Sequence, residues 1–301
     1  MSMALSHDEL WPRAGSWPAA KPGERADAAL IGIPTWRTSL SPTGAHATPA
    51  AIRDALPRYS AAVMGPPVVD LNQALRIVDA GDVREPDGDD GVQRAVERVH
   101  ELAGQARLVI ALGGDNSLTY PVARGAAADA LITLDAHFDL REGVSNGSPV
   151  RRLIEDAPVG ERIAPARIVQ IGIADFANSA AYAHRAAELG IRVITLDEVR
   201  AKGIPSVVAD ALAIAGAGSR IHLDIDVDVA DRAVAPGCPA SVPGGLAAWE
   251  LRALVRAIAS DAKVVSADIA EVDATADADD ARTVRLAALC VLELLAGLAA
   301  R

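Results

Sequence analysis

Residues 130–139 read ALITLDAHFD: a near-purely apolar run that ends in two carboxylates and an imidazole. An apolar run without in/out alternation is what a strand covered on both faces requires. The same form recurs at 28–33 (AALIGI), 76–79, 107–112 (RLVIAL), 167–172 (RIVQIG), 191–195, 219–225 and 263–268. Ala-rich helical stretches lie between these runs, at 48–57, 91–104, 118–128, 176–189, 205–215, 246–259 and 279–298. Alternation of this kind builds βαβ units and a mainly parallel sheet. The spacing predicts one three-layer α/β/α domain over 27–301 with a sheet of about eight strands. Residues 1–26 read as an irregular N-terminal arm and 81–91 as a surface loop.

The chain has 301 residues, half of them hydrophobic and only 3% aromatic, so its core is built from Ala, Val, Leu and Ile. Lys and Arg number 29 against 40 Asp and Glu, a net charge of −11. No dense basic run is present, which argues against holding nucleic acid or an anionic membrane by bulk charge. Cys238 and Cys290 are too few for a disulfide framework or a Cys-based zinc site. The start, MSMALSHDELWPRAG, lacks the apolar stretch of a signal peptide. The apolar segment 286–300 carries Glu293 and is shorter than the ~20 residues a membrane span needs. A soluble cytoplasmic protein acting on a small molecule is the expectation, with no nucleic-acid or membrane partner.

Ligands of such sheets bind beyond the carboxyl ends of the strands, and three strand ends here carry acids. After 107–112 comes Gly113-Gly114-Asp115-Asn116-Ser117, which taken alone is a common strand-to-helix turn and lacks the spacing of a phosphate loop. In 135–139, Asp135, His137 and Asp139 share one side of an extended chain. In the run His222-Leu223-Asp224-Ile225-Asp226-Val227-Asp228, Asp224 and Asp226 share a face, while His222 reads as a packed core histidine. Carboxylates crowded on a buried face need a cation. Asn116, Asp135, His137, Asp139, Asp224 and Asp226 form an oxygen-rich set with one imidazole and no sulfur, which suits Mn²⁺ or Mg²⁺ better than Zn²⁺. Four carboxylates fit two ions sharing bridging ligands, an arrangement that makes a nucleophile from water at neutral pH. The residues point to a binuclear metallohydrolase.

With these motifs the sequence resembles the ureohydrolase, or arginase-like, family, which includes arginase, agmatinase, guanidinobutyrase and formimidoylglutamase. The family's G-G-D-H-S, D-A-H-x-D and D-x-D-x-x-D motifs stand here as GGDNS (113–117), DAHFD (135–139) and DIDVDVAD (224–231). GIPTW…TPAAIR (32–53), APG…PGGL (235–246) and DIAEVD (268–273) extend the likeness from about residue 28 to the C-terminal helix. The resemblance implies two Mn²⁺ ions. One would be held by Asn116, Asp135, Asp139 and Asp224, the other by Asp135, His137, Asp224 and Asp226. It gives Glu271 the cationic end of the substrate and Asp115 an orienting role; Asp226, from its place beside the nucleophile, is the expected proton shuttle. It also implies a homo-oligomer, a trimer or hexamer.

Three departures refine the resemblance. The usual His of G-G-D-H-S is Asn116, a weaker and harder donor, so the first metal position is expected to be weak. The D-x-D-x-x-D spacing is stretched, and Asp228 and Asp231 stay unassigned. The relay His of the family's H-G-x-P segment is absent from Ser145-Asn146-Gly147-Ser148-Pro149, as in the formimidoylglutamase branch, whose aromatic-Ala-Asn-Ser stretch resembles Phe176–Ser179. Formimidoylglutamate carries two carboxylates, which Arg reads well. Arg141 and Arg151, with Asn146 and Ser148, are the candidate substrate residues; alternatively Arg151 and Arg152 lie on a solvated helix face with Glu155 and Asp156. The expected activity is manganese-dependent hydrolysis of a linear amidine C–N bond, giving glutamate and formamide. The alternatives are a guanidinium hydrolase releasing urea and a non-catalytic member weakened at Asn116.

Overall fold

The computed structural model describes residues 8–301; the first seven residues of the expected N-terminal arm lie outside the described residues. Eight parallel strands form the sheet: β1 (Ala26–Ile33), β2 (Ile77–Asp82), β3 (Ala106–Gly113), β4 (Ala130–Leu134), β5 (Ile168–Ile173), β6 (Arg192–Thr195), β7 (Ile221–Asp226) and β8 (Val264–Ala270). Their order is β2-β1-β3-β8-β7-β4-β5-β6. Each coincides with an apolar run of the sequence. Alternate residues of β3 feed opposite faces: Leu108, Ile110 and Leu112 enter one core, and Val109 and Ala111 the other. That two-sided burial is why the strands read as continuous apolar runs.

Among the described residues, nine helices of seven residues or more flank the sheet: α1 (Thr48–Ala55), α2 (Gly88–Ala103), α3 (Thr119–Gly125), α4 (Pro149–Glu155), α5 (Ala180–Leu189), α6 (Leu196–Lys202), α7 (Ile204–Ala215), α8 (Ala248–Ala259) and α9 (Arg282–Ala299). In α2 the buried positions Gly91, Ala95, Val99 and Leu102 recur at helical spacing, and Asp89 and Asp90 sit favourably in its first turn. This helix starts inside the stretch read as a loop, because Gly88 at φ 75 releases the chain into it. The expected helix from 176 begins only at Ala180, where the Ser179 side chain caps the Tyr182 N–H. Helices α4 and α6 have seven residues each, too few for a periodic signal in the sequence. Glu293 in the apolar segment of α9 is buried and pairs with Arg252 and Arg256 of α8, so it joins two helices. No helix among the described residues is long and apolar enough to cross a membrane.

The chain leaves β3 next to β1 and enters β4 three positions away, and β7 and β8 return to fill the gap. The acid-bearing ends of β3, β8, β7 and β4 thereby become neighbours, around the point where the strand order reverses. At the end of β3 the turn is close-packed: a Cβ on Gly114 would lie 2.2 Å from the Thr35 carbonyl oxygen. Beyond β8, Asp273 accepts the Gly44 N–H (2.7 Å) and the Thr275 N–H and hydroxyl (2.8 and 2.6 Å), tying the segment before α1 to the strand end.

Burial acts against the charge on Asp273, but these donors outweigh it and hold the carboxyl below its usual range. A carboxylate lowered on folding adds stability above its unfolded value and loses it as the pH falls through its folded value. Asp273→Asn is therefore expected to be less stable than the parent at pH 7. The gap narrows once the pH drops below the ordinary carboxylate value of about 3.9 and closes below the folded one, as urea melts across a pH series would show.

Candidate metal centre

Four loops meet at the carboxyl ends of the central strands. The turn after β3 brings Asn116, fully buried, whose N–H donates to Glu271 Oε1 (2.7 Å). Its Nδ2 donates to Asp139 Oδ2 (2.7 Å), and its Oδ1 accepts the Thr119 hydroxyl (2.7 Å). Asp115 is turned away, accepting the Ser117 N–H and hydroxyl on Oδ1. Strand β8 ends in Glu271, which is 4% exposed, sits at φ 62, and also accepts the Asn146 amide at Oε1 (2.8 Å). A non-glycine residue at positive φ is unusual, and Asp139 shares the feature at φ 52.

The segment 135–139 follows β4, and other loops hold it in shape. Asn178 accepts the Phe138 N–H (3.0 Å) and donates to the carbonyls of Ala136 (2.8 Å) and Ala174 (3.3 Å). Gln170 donates to the Phe138 carbonyl (2.8 Å). Asp135 Oδ1 accepts the His137 N–H (2.6 Å), and His137 Nδ1 lies 3.4 Å from that oxygen and 3.0 Å from Asp228 Oδ2. Strand β7 places Asp224 and Asp226, and Asp226 Oδ1 accepts the Asp228 N–H (2.9 Å). His222, on the same strand, is buried between Ser266 (2.9 Å) and Asp268 (3.0 Å), the packed core residue its sequence position suggested.

Electrostatics leave this cluster short of positive charge. Burial pushes Asp135 up to about 6 and Glu271 up to about 8, and raises Asp139, Asp224 and Asp226 well above the ordinary carboxylate range; each also repels the others. Burial disfavours the His137 cation, yet Asp228 and Asp135 outweigh that penalty and push the imidazole up to about 12. Asp135 Oδ2 and both Asp224 carboxylate oxygens are buried with no hydrogen-bond partner. Unpartnered buried oxygens of this kind are costly unless a cation meets them. Donor atoms of Asp135, His137 and Asp228 lie within 4.8 Å of one another, as do those of Asp135, Asp139 and Asp226. The two groups share Asp135, and their oxygen-rich composition fits divalent manganese or magnesium.

A cavity of about 320 Å³ opens on the cluster, lined among others by Leu40, Arg141, Asn146, Asn178, Asp226 and Glu271. A larger groove of about 620 Å³ lies along α8 and α9 and is lined by Arg252, Arg256 and Glu293, whose charges pair with one another, but by none of the clustered acids; chemistry rather than volume singles out the smaller one. Of the residues proposed from sequence to bind substrate, Arg141, Asn146 and Glu271 line it. Ser148 and Arg151 do not. Ser148 Oγ is spent on the Ser145 backbone (2.9 Å to both N and O). Arg151 is 6% exposed, and its guanidinium binds Asp156 together with the carbonyls of Arg141 and Gly143. Nor do Arg151 and Arg152 face solvent: Arg152 is buried, with its guanidinium 3.8 Å from the Tyr120 ring centroid. Arg151 thereby braces the loop that carries Arg141. Sequence reasoning gave no role to Gln170, and none to Asn178 beyond its place in the Phe176–Ser179 stretch; both act through backbone groups. It left Asp228 open because the D-x-D-x-x-D motif was counted from Asp224; residues 226–231 read DVDVAD and fit that spacing without a stretch, and the structure sets Asp228 beside Asp135 and His137.

The family model described as "Arginase family" matches residues 26–297. The chain is 35% identical to a formimidoylglutamase of Bacillus subtilis, an alignment covering 90% of this chain and 86% of that one. Among solved structures, formimidoylglutamase from the same organism superposes with a TM-score of 0.89 at 30% identity, covering 99% of this chain and 95% of the other. A Trypanosoma cruzi formiminoglutamase solved with Mn²⁺ gives 0.85 at 25% identity, covering 97% and 99%.

The bonds of Asn178 to the 136–138 backbone generate a test. Asn178→Ala leaves buried backbone groups unpaired, and is expected to lower the stability seen in urea melts by about 1–3 kcal/mol.

Proposed function

This chain belongs to the arginase family, and we propose from that premise that it hydrolyses N-formimidoyl-L-glutamate to L-glutamate and formamide at a centre of two Mn²⁺ ions. The observation that carries the reading is the cluster of buried carboxylates, three of whose oxygens have no partner, beside a cavity lined by Asp139, Asp226, Glu271 and Arg141. In the reaction the oxygen of water bonds to the formimidoyl carbon, the bond from that carbon to the glutamate nitrogen breaks, and a proton moves to that nitrogen. Asp135, Asp139 and Asp226, with Asn116 beside Asp139, would hold one ion and Asp135, His137 and Asp228 the other; Asp224 belongs to neither group. When bound, the ions supply the missing positive charge and make water acidic enough to act as a nucleophile at neutral pH.

The protein groups do the positioning. Glu271 receives both the Asn116 N–H and the Asn146 amide on Oε1, and Oε2, which takes neither, pairs with the cationic formimidoyl group. Asp226 Oδ1 is fixed by the Asp228 N–H, and Oδ2 carries the proton to the leaving nitrogen. Arg141 N–H binds the Gly147 carbonyl (3.0 Å), and its side chain packs over Gly147, where a Cβ would come within 2.8 Å of Arg141 Cδ. Among the described residues Arg141 has no carboxylate partner, unlike Arg151, so its fork is available to a substrate carboxylate. Asn146 stands in the segment where the family's guanidinium hydrolases have a relay histidine, and it donates to Glu271 instead. Thr119 occupies Asn116 Oδ1, and the amide is a weaker donor than imidazole, so the first ion binds more weakly than the second. The catalytic unit is residues 27–301, acting in the cytoplasm as a homo-oligomer.

Mn²⁺-loaded protein should release glutamate and formamide from formimidoylglutamate and no urea from arginine, agmatine or guanidinobutyrate. Urea from any of the last three would overturn the substrate assignment. Arg141→Ala removes one charge-assisted pair of about 1.5–3 kcal/mol, so kcat/KM should fall by roughly one to two orders of magnitude, mostly through KM. Asp226→Asn should abolish turnover; if turnover survives with full metal content, its proton role is wrong. Mn²⁺ at about 100 times its Kd should stabilise the fold by about 2.7 kcal/mol, read as a rise in Tm.

A further inference from the structure

We propose that Asn146 is a positioning residue: its side-chain amide ties the 36–43 loop to Glu271, so that one group both walls the cavity and aims the carboxylate. The inference rests on the reading given above, in which Glu271 takes the cationic end of the substrate. It moves Asn146 from the substrate contacts to the groups that arrange them. Leu40 and Ser41 of the loop line the cavity with Asn146, Gly147 and Glu271. The loop is held at its ends: Asp87 Oδ1 accepts the Trp36 and Arg37 N–H groups (3.1 and 3.0 Å), and Asp273 accepts the Gly44 N–H (2.7 Å). Between these anchors Leu40 is 56% exposed, and the Thr38 and Ser39 hydroxyls are buried without a partner. The Leu40 N–H reaches across to Asn146 Oδ1 (3.0 Å).

From the other end of the same planar group, Asn146 Nδ2 donates to Glu271 Oε1 (2.8 Å). The two contacts fix the amide's orientation, because the reverse would set oxygen against the Glu271 carboxylate and N–H against the Leu40 N–H. Aspartate, of the same shape, would keep the first contact and lose the second, since a carboxylate only accepts. The turn that carries Asn146 is closed on itself: Ser148 Oγ accepts the Ser145 N–H and donates to the Ser145 carbonyl, both at 2.9 Å. Gly147, the next residue, lies against both Leu40 and Arg141. A Cβ there would stand 3.1 Å from Leu40 Cδ1 and 2.8 Å from Arg141 Cδ. One turn therefore sets the loop, the Arg141 side chain and Glu271 relative to one another, and a substrate bearing a cation and a carboxylate is read at a fixed separation of the two. The Asn116 N–H holds the same Glu271 oxygen (2.7 Å) from the β3 turn, but the link from Glu271 to the loop runs through Asn146.

The test uses the full chain and combines hydrogen exchange of the Leu40 N–H with kinetics of the Mn²⁺-loaded protein on formimidoylglutamate. Asn146→Ala loses both contacts, so the Leu40 N–H should exchange at least about tenfold faster than in the parent. Its kcat/KM should fall at least about tenfold, the scale of one hydrogen bond to a charged group. Asn146→Asp separates the two contacts: Leu40 exchange should stay at the parent rate, while kcat/KM falls as far or further because a carboxylate now faces Glu271. A residue that only supports the turn would lose protection and activity together; keeping the one and losing the other marks action through Glu271. Leu40 exchange unchanged in Asn146→Ala, or kcat/KM of Asn146→Asp within about twofold of an active parent, overturns the proposal while the substrate reading stands. A parent that releases no glutamate from formimidoylglutamate overturns both. Should Asn146→Ala fail to fold, the near-isosteric Asn146→Asp decides alone.

Discussion

Mutual repulsion among buried carboxylates is the constraint around which this molecule is arranged. Asp135, Asp139, Asp224, Asp226, Asp228 and Glu271 are each no more than 7% exposed, and among the described residues His137 is the one basic side chain paired with this group's carboxylates at the cavity. No local preference of the chain would gather these residues; the sheet order does. Strands β3, β8, β7 and β4 are adjacent because the chain skips two positions after β3 and fills them last. Each of the four ends in a turn bearing a polar residue of the cluster. The large two-sided apolar core behind them holds those ends together against the repulsion, and cations acting at that point relieve a strain the fold already bears.

Much of this was legible in the sequence because two kinds of signal were strong. Buried parallel strands must be apolar on both faces, so the inner strands stood out as mainly apolar runs, while the edge strands β2 and β6 are shorter in apolar residues and only partly buried. Acids placed directly after such runs are chemically expensive, so Asp135, Asp139, Asp224 and Asp226 stood out without any knowledge of neighbours. What stayed hidden depends on contacts between segments far apart in sequence. Asn178 reaches back 40 residues to the Phe138 N–H, and its role is invisible until β5 lies beside β4. Arg151 shows the converse: its position after the metal loop suggested a substrate ligand, but a planar guanidinium with carbonyls of Arg141 and Gly143 and the Asp156 carboxylate in reach is spent on structure. Only the fold distinguishes it from Arg141, ten residues earlier and without such partners.

Asn116 illustrates how one substitution in a motif is absorbed by its surroundings. With no cation bound, the amide nitrogen faces Asp139 and the amide oxygen faces Thr119, an orientation that offers a proton to a crowded carboxylate. A side chain turned the other way would present oxygen to oxygen at Asp139, which is favourable only around a cation. Thr119 accommodates either orientation, because a hydroxyl donates to the amide oxygen or accepts from the amide nitrogen. The Asn116 backbone is fixed independently by its N–H bond to Glu271, so the choice is confined to the side chain. An imidazole at this position would need no such reversal to present a lone pair. To meet a cation with its oxygen, the amide would have to give up its hydrogen bond to Asp139, an exchange an imidazole would not face.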